Sequence, residues 1–88
     1  MTEQTTTIVN PLGLHARPAA QFVKLANTFA SEVEVLKDGV PVNGKSIMGV
    51  MILAAECGST ITIRATGSDE AAAVAALCEL VRAGFGEA

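Results

Sequence analysis

The sequence predicts an α+β domain with element order βαββαβα: a four-stranded antiparallel sheet with three helices on one face and the other face open. Three observations lead there. Four short runs rich in Val, Ile and Thr alternate apolar and polar residues, the mark of strands with one wet face. Two other runs space their apolar residues as helices do, and a third, short run behind the capping residue Ser46 reads as a helix apolar nearly all round. Asp38-Gly39 stands between two of the strand-like runs and is the strongest short hairpin signal. The 88 residues suffice for one domain, residues 1–88. A domain of this size buries roughly 60–65% of its unfolded surface, so its core is feasible but not generous.

Taken in order, Thr5-Thr6-Thr7-Ile8-Val9 is β-branched throughout and reads as the first strand. Asn10-Pro11-Leu12-Gly13 stops it. The first helix is expected from about Ala16 to Thr28, burying Ala19, Phe22, Val23, Ala26, Phe29 and Ala30. Glu32 to Val35 is the second strand and Val40 to Asn43 its hairpin partner. Ser46 is a good N-cap for a short helix from Ile47 to about Ala54, closed by Cys57-Gly58. Ser59 to Ala65 alternates again as the last strand. Ser68 or Asp69 caps the final helix, which runs to about Ala83 with Val74, Leu77, Cys78 and Val81 inward and Gly84 as its C-terminal stop. The pattern alone also admits a ferredoxin-like arrangement with a short second helix.

Composition removes several functions. The net charge is −3 and Trp and Tyr are absent, which disfavours a nucleic-acid partner. The polar start Met1–Thr5 has no apolar run, so no signal peptide is expected, and no stretch has the roughly 20 apolar residues of a membrane span. Cys57 and Cys78 lack metal-type spacing and have one histidine to help them, so no metal site and no cofactor are expected. They read as two reduced thiols of a cytoplasmic protein. No nucleotide-binding glycine loop is present, and Glu32 and Glu34 lie on a wet strand face, so a carboxylate-pair enzyme is not indicated.

The chemistry concentrates at Gly13-Leu14-His15-Ala16-Arg17-Pro18-Ala19-Ala20, which carries the only histidine. Pro18 is tolerated in the first turn of a helix. The free N–H groups of that turn, those of Ala16 and Arg17 among them, form an anion site, and Arg17 adds a planar cation. A neutral imidazole there can accept a phosphoryl group and pass it on. On residue types alone, a solvated loop histidine is the commoner reading of such a position. Arg17 and Pro18 read equally well as a surface charge and a helix starter.

The run Leu12-Gly13-Leu14-His15-Ala16-Arg17-Pro18-Ala19 resembles the active-site signature of HPr, the histidine phosphocarrier family of the sugar phosphotransferase system. Gly44-Lys45-Ser46-Ile47-Met48-Gly49-Val50-Met51 is similar to that family's regulatory serine region in its Gram-positive-type form. The resemblance covers essentially the whole chain, and it favours the family's open-faced β-sandwich over the ferredoxin-like alternative. It implies a phosphoryl group carried on Nδ1 (the pros nitrogen) of His15, steadied by Arg17 and the helix start Ala16, Arg17 and Pro18. Enzyme I is the implied donor and the IIA domains of sugar permeases the acceptors, so the chain is a monomeric carrier and not a complete enzyme. It further implies regulation by phosphate on Ser46, through an HPr kinase/phosphorylase and a catabolite-control regulator. The runner-up is a regulatory module of the same fold acting through Ser46.

The second helix supplies a docking argument of its own. Ile47, Met48, Val50, Met51, Ile52 and Leu53 make it apolar nearly all round, and a small domain cannot bury every face. Ile47, Met48 and Met51 are therefore expected at a partner surface, rimmed by Lys24, Lys45 and Arg17. Ala54, where many relatives have Gly, Cys57 in its loop, and the ending Gly84-Phe85-Gly86-Glu87-Ala88 depart from the family pattern.

Overall fold

In a computed structural model, the four alternating segments pair into one antiparallel sheet. They are β1 (Thr2–Thr7), β2 (Glu32–Lys37), β3 (Val40–Asn43) and β4 (Thr60–Thr66), in the spatial order β1-β4-β2-β3. The helices α1 (Ala16–Ala26), α2 (Ile47–Ile52) and α3 (Glu70–Arg82) cover one face, and a 3-10 turn, Gly84–Gly86, follows α3. The structure describes residues 1–87; Ala88, the last residue of the atypical ending, lies outside them. The element order and the open-faced architecture are those expected.

The core lies between sheet and helices. Val33 and Val35 of β2 and Ile61, Ile63 and Ala65 of β4 point inward, against Ala19, Phe22, Val23 and Ala26 of α1 and the Val74, Leu77, Cys78 and Val81 stripe of α3. The open face is polar. There Arg64 stands opposite Glu3 on one side and Glu34 on the other, and pairs with both at 3.1 and 3.5 Å. At the hairpin, Asp38 and Gly39 both take positive φ, 52° and 78°, as the tight Asp-Gly turn requires. Cys57 is exposed, Cys78 buried, and both are free; burial raises the pKa of the Cys78 thiol.

Several boundaries shift, each for a local reason. β1 begins at Thr2 rather than Thr5, because its length is set by the ladder to β4, from Thr2 opposite Ala65 to Thr7 opposite Thr60. β2 runs on to Lys37, paired with Val40 of β3, and β4 spans 60–66 rather than 59–65. α1 stops at Ala26, short of Thr28. Asn27 Nδ2 and Thr28 Oγ1 donate back to the carbonyls of Val23 and Leu25, the local bonding by which such side chains end helices. Ala30, expected inward, is exposed, and Phe29 is half-buried.

α2 ends at Ile52 because Ala54 adopts φ +50°. A left-handed conformation costs a residue with a Cβ about 1–2 kcal/mol, and glycine escapes it. Ala54→Gly is therefore expected to stabilise the protein by about 1 kcal/mol, raising Tm by roughly 4–8 °C in a thermal melt. An unchanged or lower Tm would contradict this account of the turn.

Asp69 stands at the N-cap of α3 but does not cap its own helix. Its carboxylate accepts from the amides of Ala30 and Ser31, at 2.8 and 2.9 Å, and from the Ser31 hydroxyl, tying α3 to the approach of β2. The Ser31 hydroxyl first, then the Ala30 amide, holds the Asp69 carboxyl below its ordinary range. Glu70 is held at about 2 by the N-terminal ammonium, 2.8 Å away, and next by the Thr2 hydroxyl. Both shifts are downward, so their stabilisation is complete above the ordinary carboxylate range near ~4 and is lost as pH falls through the lowered values. Denaturation midpoints should accordingly fall between roughly pH 4 and 2. Asp69→Asn should flatten part of that slope; an identical slope in the variant would refute the assignment.

Candidate functional site

The loop leading into α1 is built to a fixed shape. Gly13 takes φ +67° and donates its amide to the Asn10 carbonyl at 3.1 Å, while Leu14 donates to Ala55 at 2.9 Å. A Cβ on Gly13 would run into the Ala55 carbonyl oxygen and lie 2.9 Å from Glu56 Cα, so the loop packs tightly on the segment after α2. His15 follows as the N-cap of α1, with extended backbone at φ −76°, ψ −175°. Its carbonyl accepts from Ala19 at 3.0 Å, and its side chain makes no capping bond. Pro18 is buried and has no N–H to satisfy.

Two donors remain at this helix start. Among the described residues, no protein acceptor takes the amides of Ala16 or Arg17. Arg17 is exposed, and no carboxylate of the described residues lies within ion-pair distance of it. Two amides without a protein acceptor and the positive end of the helix dipole thus follow directly on His15, and Arg17, two residues on, adds an exposed cation to the same first turn, a setting that favours an anion.

The imidazole is one-third exposed and held from one side. Its Nε2 lies 3.2 Å from Glu87 Oε2 and 3.5 Å from Oε1. Asn10 Nδ2 donates to Glu87 Oε1 at 3.0 Å and to the Gly13 carbonyl at 2.7 Å, so one buried amide braces both the carboxylate and the loop. Nδ1 has no hydrogen-bond partner among the described residues. Glu87 reaches the site because Gly84, Phe85 and Gly86 all take positive φ, 64°, 58° and 73°, which turns the chain back after α3 while Phe85 buries its ring. Neither Glu87 nor Asn10 was expected at the site. Gly84 and Gly86 are the one sequence signal of a chain reversal there, and the contact itself spans 72 positions.

At α2, Ser46 caps as expected, its Oγ accepting from the Gly49 amide at 3.1 Å. Val50 and Leu53 face the core, while Ile47, Met48, Met51 and Ile52 are exposed, Met48 and Ile52 by nearly three-quarters. Ile52 stands four residues after Met48, on the same helix face, and was not foreseen as part of this surface; Leu12, in the loop before α1, is equally exposed. The Lys45 ammonium donates to the Phe29 carbonyl at 2.7 Å, closing the end of α1. Lys24 lines a shallow groove between α1 and α3 with Leu25, Thr28 and Leu80. Among the described residues, no three His, Cys, Asp or Glu side chains gather as metal ligands, and no helix is long and apolar enough to cross a membrane.

Residues 2–83 match the family model described as the PTS HPr component phosphorylation site. The chain is 49% identical over 87 residues to the phosphocarrier protein HPr of Cupriavidus necator, covering 99% of this chain and 98% of the relative. It is equally 49% identical, over 81 residues, to the HPr-like protein Crh of Halalkalibacterium halodurans, covering 92% and 96%. Among solved structures, HPr-C-His from Thermoanaerobacter tengcongensis superposes with a TM-score of 0.96 at 48% identity, covering 100% of this chain and 99% of the other.

Proposed function

Since the chain belongs to the HPr family of phosphocarriers of the phosphotransferase system, we propose that it accepts a phosphoryl group on His15 Nδ1 from phospho-enzyme I and passes it to IIA domains of sugar permeases. The observation that carries this reading is the single histidine at the start of α1, its Nε2 engaged by Glu87 and its Nδ1 without a hydrogen-bond partner among the described residues, followed by two amides that no described acceptor takes. Phosphoryl transfer asks chiefly for positioning and charge stabilisation. The Ala16 and Arg17 amides and the guanidinium supply that charge, and Pro18 fixes the helix start without competing for the anion.

The exposed face of Ile47, Met48, Met51 and Ile52 suits transient docking of successive partners. Arg17 and Lys24 are exposed cations for an acidic partner; Lys45 is already committed to Phe29 and contributes less. The protein acts in the cytoplasm as a monomeric carrier without a cofactor. Incubation with enzyme I and phosphoenolpyruvate should add one phosphoryl group by intact mass, and a IIA domain should then remove it. No gain with an enzyme I that loads a control carrier would refute the proposal.

A second reading is favoured by the Ser46 cap and by the similarity to Crh. Phosphate on Ser46, at a helix N-terminus, leaves α2 intact but sets about two negative charges beside the docking face. Loading by enzyme I would then slow, and an HPr kinase/phosphorylase and a catabolite-control regulator would be the relevant partners. Ser46→Asp keeps a capping oxygen and adds charge, so it should accept phosphate from enzyme I about tenfold more slowly at low salt. Acceptance at the wild-type rate, or failure of the purified kinase to modify Ser46, would sink the switch.

A further inference from the structure

We infer that Glu87, held in place by Asn10, is a positioning residue that keeps the proton of neutral His15 on Nε2 and so presents the Nδ1 lone pair to the phosphoryl donor. The inference rests on the carrier reading above and adds two residues to it. A carboxylate accepts hydrogen bonds and has none to give. Facing Nε2 at 3.2 Å, it selects the tautomer with N–H at Nε2.

Asn10 shows that the carboxylate is deliberately aimed. Its amide nitrogen meets two acceptors, the Gly13 carbonyl and Glu87 Oε1, which fixes the orientation of the amide. Its own oxygen is buried without a partner among the described residues. An orphaned buried acceptor is costly, and its retention here is explained by the use made of both N–H bonds. The same amide therefore locks the Gly13 loop that leads into His15 and the carboxylate that orients its ring.

In the transfer step, the Nδ1 pair forms the new bond to phosphorus, and the bond from phosphorus to the donor atom breaks with its electrons leaving on the donor. No proton needs to move. The ring gains positive charge with its proton still on Nε2, where Glu87 faces it. The carboxylate is one-quarter exposed, so this stabilisation is moderate.

Glu87→Gln is the informative substitution. Asn10 demands an acceptor at the Oε1 position, which turns the new amide nitrogen toward His15 Nε2. A donor there favours the opposite tautomer, with the proton on Nδ1 and the nucleophilic pair lost. Imidazole 15N shifts of the unphosphorylated protein, recorded well above the ordinary histidine range near ~6.5, should show the Nε2–H tautomer in wild type. Glu87→Ala should give a mixture, and Glu87→Gln a shift toward Nδ1–H. Loading of Glu87→Gln by phospho-enzyme I should slow by about 3- to 10-fold. Wild-type tautomer populations in both variants, or wild-type loading of Glu87→Gln, would overturn the inference. Because the shifts are read without any donor, they are independent of the carrier reading. Absence of phosphate on the wild type would overturn that reading instead.

Discussion

His15→Ala is expected to abolish acid-labile phosphorylation by enzyme I while leaving the protein folded. The loss should be complete, because the substitution removes the atom that forms the bond and the chain has no second histidine. Stability should change by less than ~1 kcal/mol, since the side chain is one-third exposed and makes no capping bond, and its carboxylate contact is a partly exposed one. A thermal melt and a loading assay on the same preparation therefore separate chemistry from folding. Residual phosphate that survives acid would point to a hydroxyl such as that of Ser46. Acid-labile phosphate on the variant would contradict the assignment of His15.

Phe22→Ala is expected to have the largest effect on stability. Phe22 is fully buried on the inner face of α1, against the sheet. Three Phe and no Trp or Tyr supply all the aromatic volume of the chain, and few neighbours can move in to fill the gap. Removing such a ring costs about 3–5 kcal/mol. That is a large part of the total stability of a small domain, about 5–15 kcal/mol. Tm should fall by roughly 15–30 °C. Because His15 stands at the start of α1, loading should be lost in parallel with the melt rather than at temperatures where the variant remains folded. A loss below ~1 kcal/mol in urea titration would show that α1 does not depend on this contact.

How far the sequence could be read follows from the range of the interactions. The hairpin at Asp38-Gly39, the Ser46 cap and the buried stripe of α3 depend on residues within a few positions of one another, and the structure shows them as expected. The His15–Arg17 helix start is likewise local, and the loop geometry at Gly13 follows the motif in which it stands. What escaped the reading is non-local. The start of β1 is set by its partner β4. Asp69, read with Ser68 as one of two candidate caps for α3, spends its carboxylate on Ser31, 38 positions away. Glu87 meets His15 only because a residue as bulky as Phe85 accepts a positive φ to bury its ring. No periodicity or spacing encodes such a contact. The end of α2 was misplaced for a related reason: Ala54 holds a conformation that its own residue type disfavours.

The central claim is that His15 Nδ1 carries the phosphoryl group. The most direct test is to load the 15N-labelled protein with phospho-enzyme I and read phosphorus–nitrogen coupling by NMR. The account predicts one phosphoryl group, acid-labile and coupled to His15 Nδ1. Phosphate on Nε2, on Ser46, or on no residue of a protein exposed to a competent enzyme I would contradict it.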